Sequence, residues 1–166
     1  MECGPAPPSV AYVCVGDRKG KRVEEQLQGF SGVLQVDGYA GYNGLIKANR
    51  PGGPVTLALC NARARRKFYE LYNSQASPIA GEALQRIAQV YQIEEEVRGR
   101  PGDERLAVRQ AKTQPILAQM QSWLEARLAE VSGKSKIAEA IRYMLSHWDG
   151  LTIFLANGRV EVDNYC

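Results

Sequence analysis

The 166 residues suffice for one domain with a sizeable core, or for a domain carrying a subdomain. Hydrophobic residues make up 45% and charged residues 23%, which excludes a disordered or low-complexity chain. A net charge of +3 permits contact with a polyanion without demanding it, and no apolar run approaches the roughly 20 residues of a membrane span.

Residues 1–8, with Pro5, Pro7 and Pro8, read as an extended lead-in. They carry neither the basic flank nor the apolar stretch of a secretory signal, so the expectation is a cytosolic protein. There Cys3, Cys14, Cys60 and Cys166, none at CxxC spacing, stay thiols. Residues 10–15 are nearly all apolar and predict a strand buried on both faces. A charged turn over residues 16–22 follows, then a short helix over 23–30, where Val23 and Leu27 lie four apart. Residues 32–35 lead into Val36 and Asp37, a second buried strand ending on a carboxylate. Gly38 and Gly41 mark a turn, residues 42–48 predict another short helix, and Pro51-Gly52-Gly53-Pro54 breaks it. Residues 55–60 predict a third strand.

From Asn61 to about Leu155 the periodicity is helical. Ala83, Ile87, Val90, Ile93 and Val97 form one apolar stripe, ended by Gly99 and Pro101. Leu117, Met120, Leu124, Leu128 and Val131 form a second, with Pro115 near the first turn, where proline is tolerated. Ile137, Ile141, Met144, Leu145 and Trp148 form a third. These stripes read as core, and His147, beside Trp148, reads as structural. For the tail two readings stand: Asn157-Gly158 as the type I′ turn of a hairpin, or as a helix end before one last strand. Strands first and helices second predict an α/β domain with a helical insertion.

Two features point to chemistry. Asp37, at the carboxyl end of a buried strand, stands where α/β sheets present functional groups, although Asp-Gly is more often a plain turn. Arg63, Arg65, Arg66 and Lys67 open the first helix of the insertion, with Phe68 and Tyr69 after them. Such a cluster attracts phosphate backbones through counterion release, and aromatic rings can stack on bases. The plainer alternative is a solvated helix face with Phe68 and Tyr72 in the core. The basic turn over residues 18–22 reads as a solvated loop. Gly133-Lys134-Ser135 imitates a phosphate loop but lacks the glycine five positions earlier, where Leu128 stands, and the leading strand. Asn73-Ser74 and Glu94-Glu95-Glu96 read as ordinary surface features.

Several stretches, in one order, resemble the TnpC transposases of bacterial insertion sequence sixty-six. They are Asp17-Arg18-Lys19-Gly20; residues 32–43 (GVLQVDGYAGYN); Cys60 with Ala62, Ala64, Arg65, Arg66, Lys67 and Phe68; Ala138-Glu139-Ala140-Ile141-Arg142-Tyr143; and residues 158–164 (GRVEVDN). The resemblance implies a partial RNase H-like core of the DDE type over residues 1–76, an all-α insertion over 77–155, and a truncated return to the core over 156–166. It implies DNA, as transposon ends, and intact transposase subunits as partners, with no membrane. It further implies magnesium or manganese bound by three acidic residues, of which Asp37 matches the second. The first acid lies upstream in the family and Asp17 does not match it. The third follows the Asp163-Asn164 pair, and Glu161, on the lead-in, does not replace it. Asn61 and Arg63 stand where the family tends to carry tryptophan and histidine. The resulting expectation is a transposase fragment that does not bind metal productively or catalyse strand transfer alone. The alternative is a non-catalytic DNA-binding or transposase-regulating module.

Overall fold

The computed structural model describes residues 20–38, 40–47, 50 and 52–163. The strand expected over 10–15, Asp17, Tyr39, Asn164 and three of the cysteines (Cys3, Cys14, Cys166) lie outside the described residues. Within them the architecture is helix-rich α/β. Helix α1 (Gly20–Gln26) is followed by strand β1 (Gly32–Val36), a 3-10 turn (Ala40–Ile46) and strand β2 (Val55–Leu59). Helix α1 begins inside the segment read as a charged turn, because Lys21 and Arg22 are good helix formers that local charge does not exclude. The second short helix is realised as 3-10 geometry and buries Leu45.

The two strands pair in parallel, from Gly32 opposite Val55 to Val36 opposite Leu59. The ladder extends by one bond at each end, Gly32 N–H to the Pro54 carbonyl at 3.0 Å and Cys60 N–H to the Val36 carbonyl at 3.2 Å. Parallel pairing brings both carboxyl ends to one edge.

Helix α2 (Asn61–Gln75) buries Ala64, Phe68 and Leu71 at four- and three-residue spacing and ends on Ala76 in the left-handed region, at φ 48°. Ser77 caps helix α3 (Pro78–Glu96), its hydroxyl accepting from Ala80 N–H at 3.3 Å with Pro78 at the first turn. The predicted stripe from Ala83 to Ile93 is buried in α3, and Val97 just beyond it is buried too.

Pro115 stands in the first turn of helix α5 (Gln114–Glu130), as expected, but that helix does not start from a loop: helix α4 (Gly102–Val108) and a π turn (Arg109–Thr113) lead into it without a break. Proline lacks an N–H and its ring clashes with the carbonyl four residues back. The wider π turn just before it, closed by Gln114 N–H to the Arg109 carbonyl, absorbs that misfit.

Helix α6 (Lys136–Ser146) is capped by Ser135, whose hydroxyl accepts from Ala138 N–H at 3.2 Å, so Gly133-Lys134-Ser135 is a helix-cap loop. His147 joins α6 to helix α7 (Trp148–Thr152): its Nδ1 donates to the Tyr143 carbonyl at 2.8 Å and its ring stacks on Tyr143 at 4.3 Å. A 3-10 turn (Ile153–Leu155) ends the helical block.

The tail is neither a hairpin nor a strand but a run of turns and bends over residues 156–163. Gly158 is not in the positive-φ region that a type I′ turn requires. Instead the Asn157 side chain accepts from Arg159 N–H at 3.0 Å, and a Cβ on Gly158 would strike the Gly102 backbone. Close approach to the start of α4 selects this glycine. A single cluster holds Ala58 of β2, Phe68 of α2, Ile87 of α3, Met120 and Leu124 of α5, Ile141 of α6, and Phe154, Val160 and Val162 of the final turn and tail.

Candidate nucleic-acid interface at the carboxyl ends of the strands

The shared edge of β1 and β2 decides which side chains meet. Asp37 follows β1, and Gly38 turns the chain there at φ 82°. Cys60 follows β2 and α2 begins at once. Arg63, in the first turn of α2, therefore reaches back over Asp37: its Nη1 donates to the Asp37 carbonyl at 3.0 Å and lies 3.5 Å from Asp37 Oδ2. Arg66 and Lys67, one turn on, line the same cleft of about 510 Å³ with Asp37, Cys60, Ala62 and Glu70.

Lys67 is oriented by the helical block, its Nζ 4.8 Å above the Tyr143 ring and 3.8 Å from Glu139. Burial holds the Tyr143 hydroxyl above its usual pKa, so it stays protonated at neutral pH. Arg65 lies on another face, over the Tyr69 ring at 5.7 Å, and lines a hollow with Tyr91 and Asp163. The structure thus joins Asp37 to Arg63, Arg66 and Lys67 but not to Arg65. Phe68 is in the core as expected, whereas Tyr72 is 49% exposed. Leu71, not Tyr72, continues the 64–68 stripe, so Tyr72 falls one step off the buried face.

The donor set around Asp37 does not fit a pair of divalent ions. Each such ion needs several oxygen ligands, whereas the neighbours of this carboxylate in the cleft include a guanidinium in contact with it and two further cationic side chains. Among the described residues, no group of three or more His, Cys, Asp or Glu could hold a metal ion. The cleft as built suits an anion with separated negative charges, such as a phosphodiester backbone.

Sequence reasoning missed what holds α2 in place. Cys60 stands at the cap position without providing a side-chain cap. The carboxylate of Asp163, far away in sequence, does so instead: Oδ1 accepts from Ala62 N–H at 2.6 Å, and the Tyr91 hydroxyl donates to both oxygens at 2.8 Å. A negative charge at a helix N-terminus is also favoured by the helix dipole. Burial and the neighbouring Asp163 push the Tyr91 pKa far up, which keeps Tyr91 a donor. Asn61 adds hydrogen bonds from its side-chain amide to the Leu151 carbonyl at 3.0 Å and the Val162 carbonyl at 3.1 Å.

The tail is held from the other side by buried charge. Arg109, fully buried in the π turn, donates to both oxygens of Glu94 at 2.8 and 2.6 Å. Its remaining terminal nitrogen donates to the carbonyls of Phe154 at 3.1 Å and Val160 at 2.9 Å. Arg105 grips Glu161 with two bonds of 2.7 and 2.6 Å, and the Gln35 side chain donates to the Glu161 carbonyl at 2.9 Å. Reading Glu94 as a surface residue was therefore wrong, while Glu95 and Glu96 do pair on the surface with Arg98 and Lys112. A signal existed: Glu94 lies four after Val90 and seven after Ile87, on the buried stripe. Arg109 carried no such mark.

Replacing Asp163 with alanine removes a helix cap, worth about 1 kcal/mol, and strands the half-buried Tyr91 hydroxyl, costing about 1 kcal/mol more. The expected result is a loss of about 2 kcal/mol by chemical denaturation for Asp163→Ala and less than half of that for Asp163→Asn, since asparagine caps well. Equal losses for the two variants would show that the cap is not what Asp163 contributes.

A family model described as Transposase IS66 family matches residues 2–165. The uncharacterized protein y4jD of Sinorhizobium fredii is 42% identical over 163 residues, 97% of this chain and 32% of that protein. The uncharacterized protein y4qI of the same organism is 43% identical over 164 residues, 97% of this chain and 30% of that protein. The chain thus spans about a third of the length of the curated relatives it matches. No solved structure matches it. Among the described residues, no helix is long and apolar enough to cross a membrane.

Proposed function

The chain belongs to the IS66 transposase family, and from that premise we propose that it is the central stretch of a DDE-type DNA transposase. In this reading β1 and β2 belong to an RNase H-like core, and Asp37 is the second of three metal-binding carboxylates. Residues 77–155 are a helical insertion, and the segment from 156 onward returns toward the third acid. The basic face of α2 holds the phosphate backbone of a transposon end beside Asp37. The metal pair that the family implies, magnesium or manganese, needs all three acids together, and the described residues of this stretch do not fit it by themselves. The other two acids come from outside this stretch, so the 166-residue polypeptide alone does not join strands.

One observation carries the reading: the parallel strand pair sets Asp37 and the first turns of α2 on a single edge, in a cleft lined by Arg63, Arg66 and Lys67. A salt titration of binding to duplex DNA tests it. Affinity is expected to fall linearly in log–log form as salt rises, and the purified chain with magnesium or manganese is expected neither to nick nor to join DNA. Absence of binding at low salt would overturn the interface. Strand transfer by this polypeptide unaided would overturn the division of the acids.

A further inference from the structure

Helix α2 has a second outward rim that the cleft does not use. Arg65, Tyr69 and Tyr72 follow one another at four- and three-residue spacing and so form one stripe. Tyr69 is 48% and Tyr72 49% exposed, although Phe68, the neighbour of Tyr69 on the chain, is completely buried. Two large rings half in water beside a well-filled core are not there to fill it.

Both rings are held. The Arg65 guanidinium lies 5.7 Å from the Tyr69 ring centroid. Tyr72 lies across Gly81 of α3, where an added Cβ would come within 3.1 Å of the ring. Glycine there lets the ring lie close against the α3 backbone, so little freedom remains to be lost on binding. The cations of the cleft occupy the neighbouring face of the same helix, with Arg66 between the two.

We propose that Arg65, Tyr69 and Tyr72 form a stacking platform for unpaired nucleobases, so that this chain prefers DNA with a single-stranded stretch to fully paired duplex. The inference rests on the nucleic-acid reading of the cleft and adds the substrate form. In one strand, phosphates and base faces project to different sides of the sugar chain. Such a strand across α2 sets its phosphates on Arg63, Arg66 and Lys67 and its bases on the two rings. A duplex conceals its base faces in its own stack and can engage only the cations. Stacking tolerates any base, since every base has a π face, and the Arg65 guanidinium over the Tyr69 ring adds a cation–π contact at that ring.

The test is fluorescence anisotropy of the full chain with single-stranded and blunt duplex DNA of equal length. The wild type is expected to bind the single strand several-fold more tightly. Tyr69→Ala and Tyr72→Leu are each expected to weaken single-strand binding about tenfold, while duplex binding is unchanged. The leucine keeps the apolar contact on Gly81, so a loss there reports the ring and not the packing. Tyr69→Phe and Tyr72→Phe keep the π face and should stay near wild type. The salt slope should not change in any of the four, because every phosphate-binding cation is retained. Equal losses on both DNA forms, unaltered single-strand binding in the alanine and leucine variants, or phenylalanine variants as weak as those two would each overturn the platform. A wild type that binds duplex but shows no single-strand preference overturns the platform and leaves the cleft standing. A wild type that binds neither form overturns both.

Discussion

Arg109→Met is expected to lower the unfolding free energy by about 3–5 kcal/mol, because it leaves the Glu94 carboxylate buried without its partner. Methionine fills much of the arginine's volume, so the loss reports charge and hydrogen bonding and not a cavity. The Phe154 and Val160 carbonyls also lose a donor, which should loosen the tail before the rest of the chain. In a domain of this size the midpoint of thermal unfolding should fall by about 10 °C. The double variant Arg109→Met with Glu94→Leu should recover most of the loss, since a buried ion pair is seldom better than a well-packed apolar pair. Hydrogen exchange gives a second reading: the Ala62 amide, which donates to Asp163, should exchange faster in Arg109→Met than α5 amides do. A wild-type melting temperature in that variant would mean that the pair does not hold the tail.

The second large effect concerns affinity. Replacing Arg63, Arg66 and Lys67 together with alanine removes the cations of the cleft. Each phosphate that is no longer neutralised should flatten the salt dependence of duplex binding by about 0.9 in log–log slope. Three such phosphates correspond to a fall of about two to three orders of magnitude in affinity at low salt. These side chains are exposed or half-buried, so stability should change little and the binding loss can be read directly. Asp37→Asn should act in the opposite direction: it removes a negative charge from the cleft and the carboxylate that now draws on Arg63, so affinity for DNA should rise several-fold. A triple variant that binds as the wild type does would place the DNA on another surface.

These two predictions draw on features of unequal visibility in the sequence. The basic cluster at 63–67 and the aspartate at a strand end could be read directly, because a helix start and a strand end each leave a local mark, although the strand before Asp37 is buried only at Val36 and not along its length. Their meeting could not, since it depends on parallel pairing that aligns Val36 with Leu59. Ser77 and Ser135 cap their helices as short-range chemistry dictates, and the apolar stripes of α3, α5 and α6 lie where three- and four-residue spacing puts them. Failures fell where a residue's role is set by a distant partner. Glu94 is drawn inside by Arg109, and Asn157-Gly158 is bent by the nearness of Gly102 instead of forming a hairpin.

What the chain's own order of residues determined is therefore the helical block, its buried faces and the two charged features, since periodicity and capping act over a few residues. The tertiary structure alone decided that Asp163 caps α2, that Arg109 and Arg105 grip the tail, and that Asp37 shares a cleft with three cations. These interactions join residues tens of positions apart, and a polar side chain finds such a partner only after apolar packing has brought the elements together.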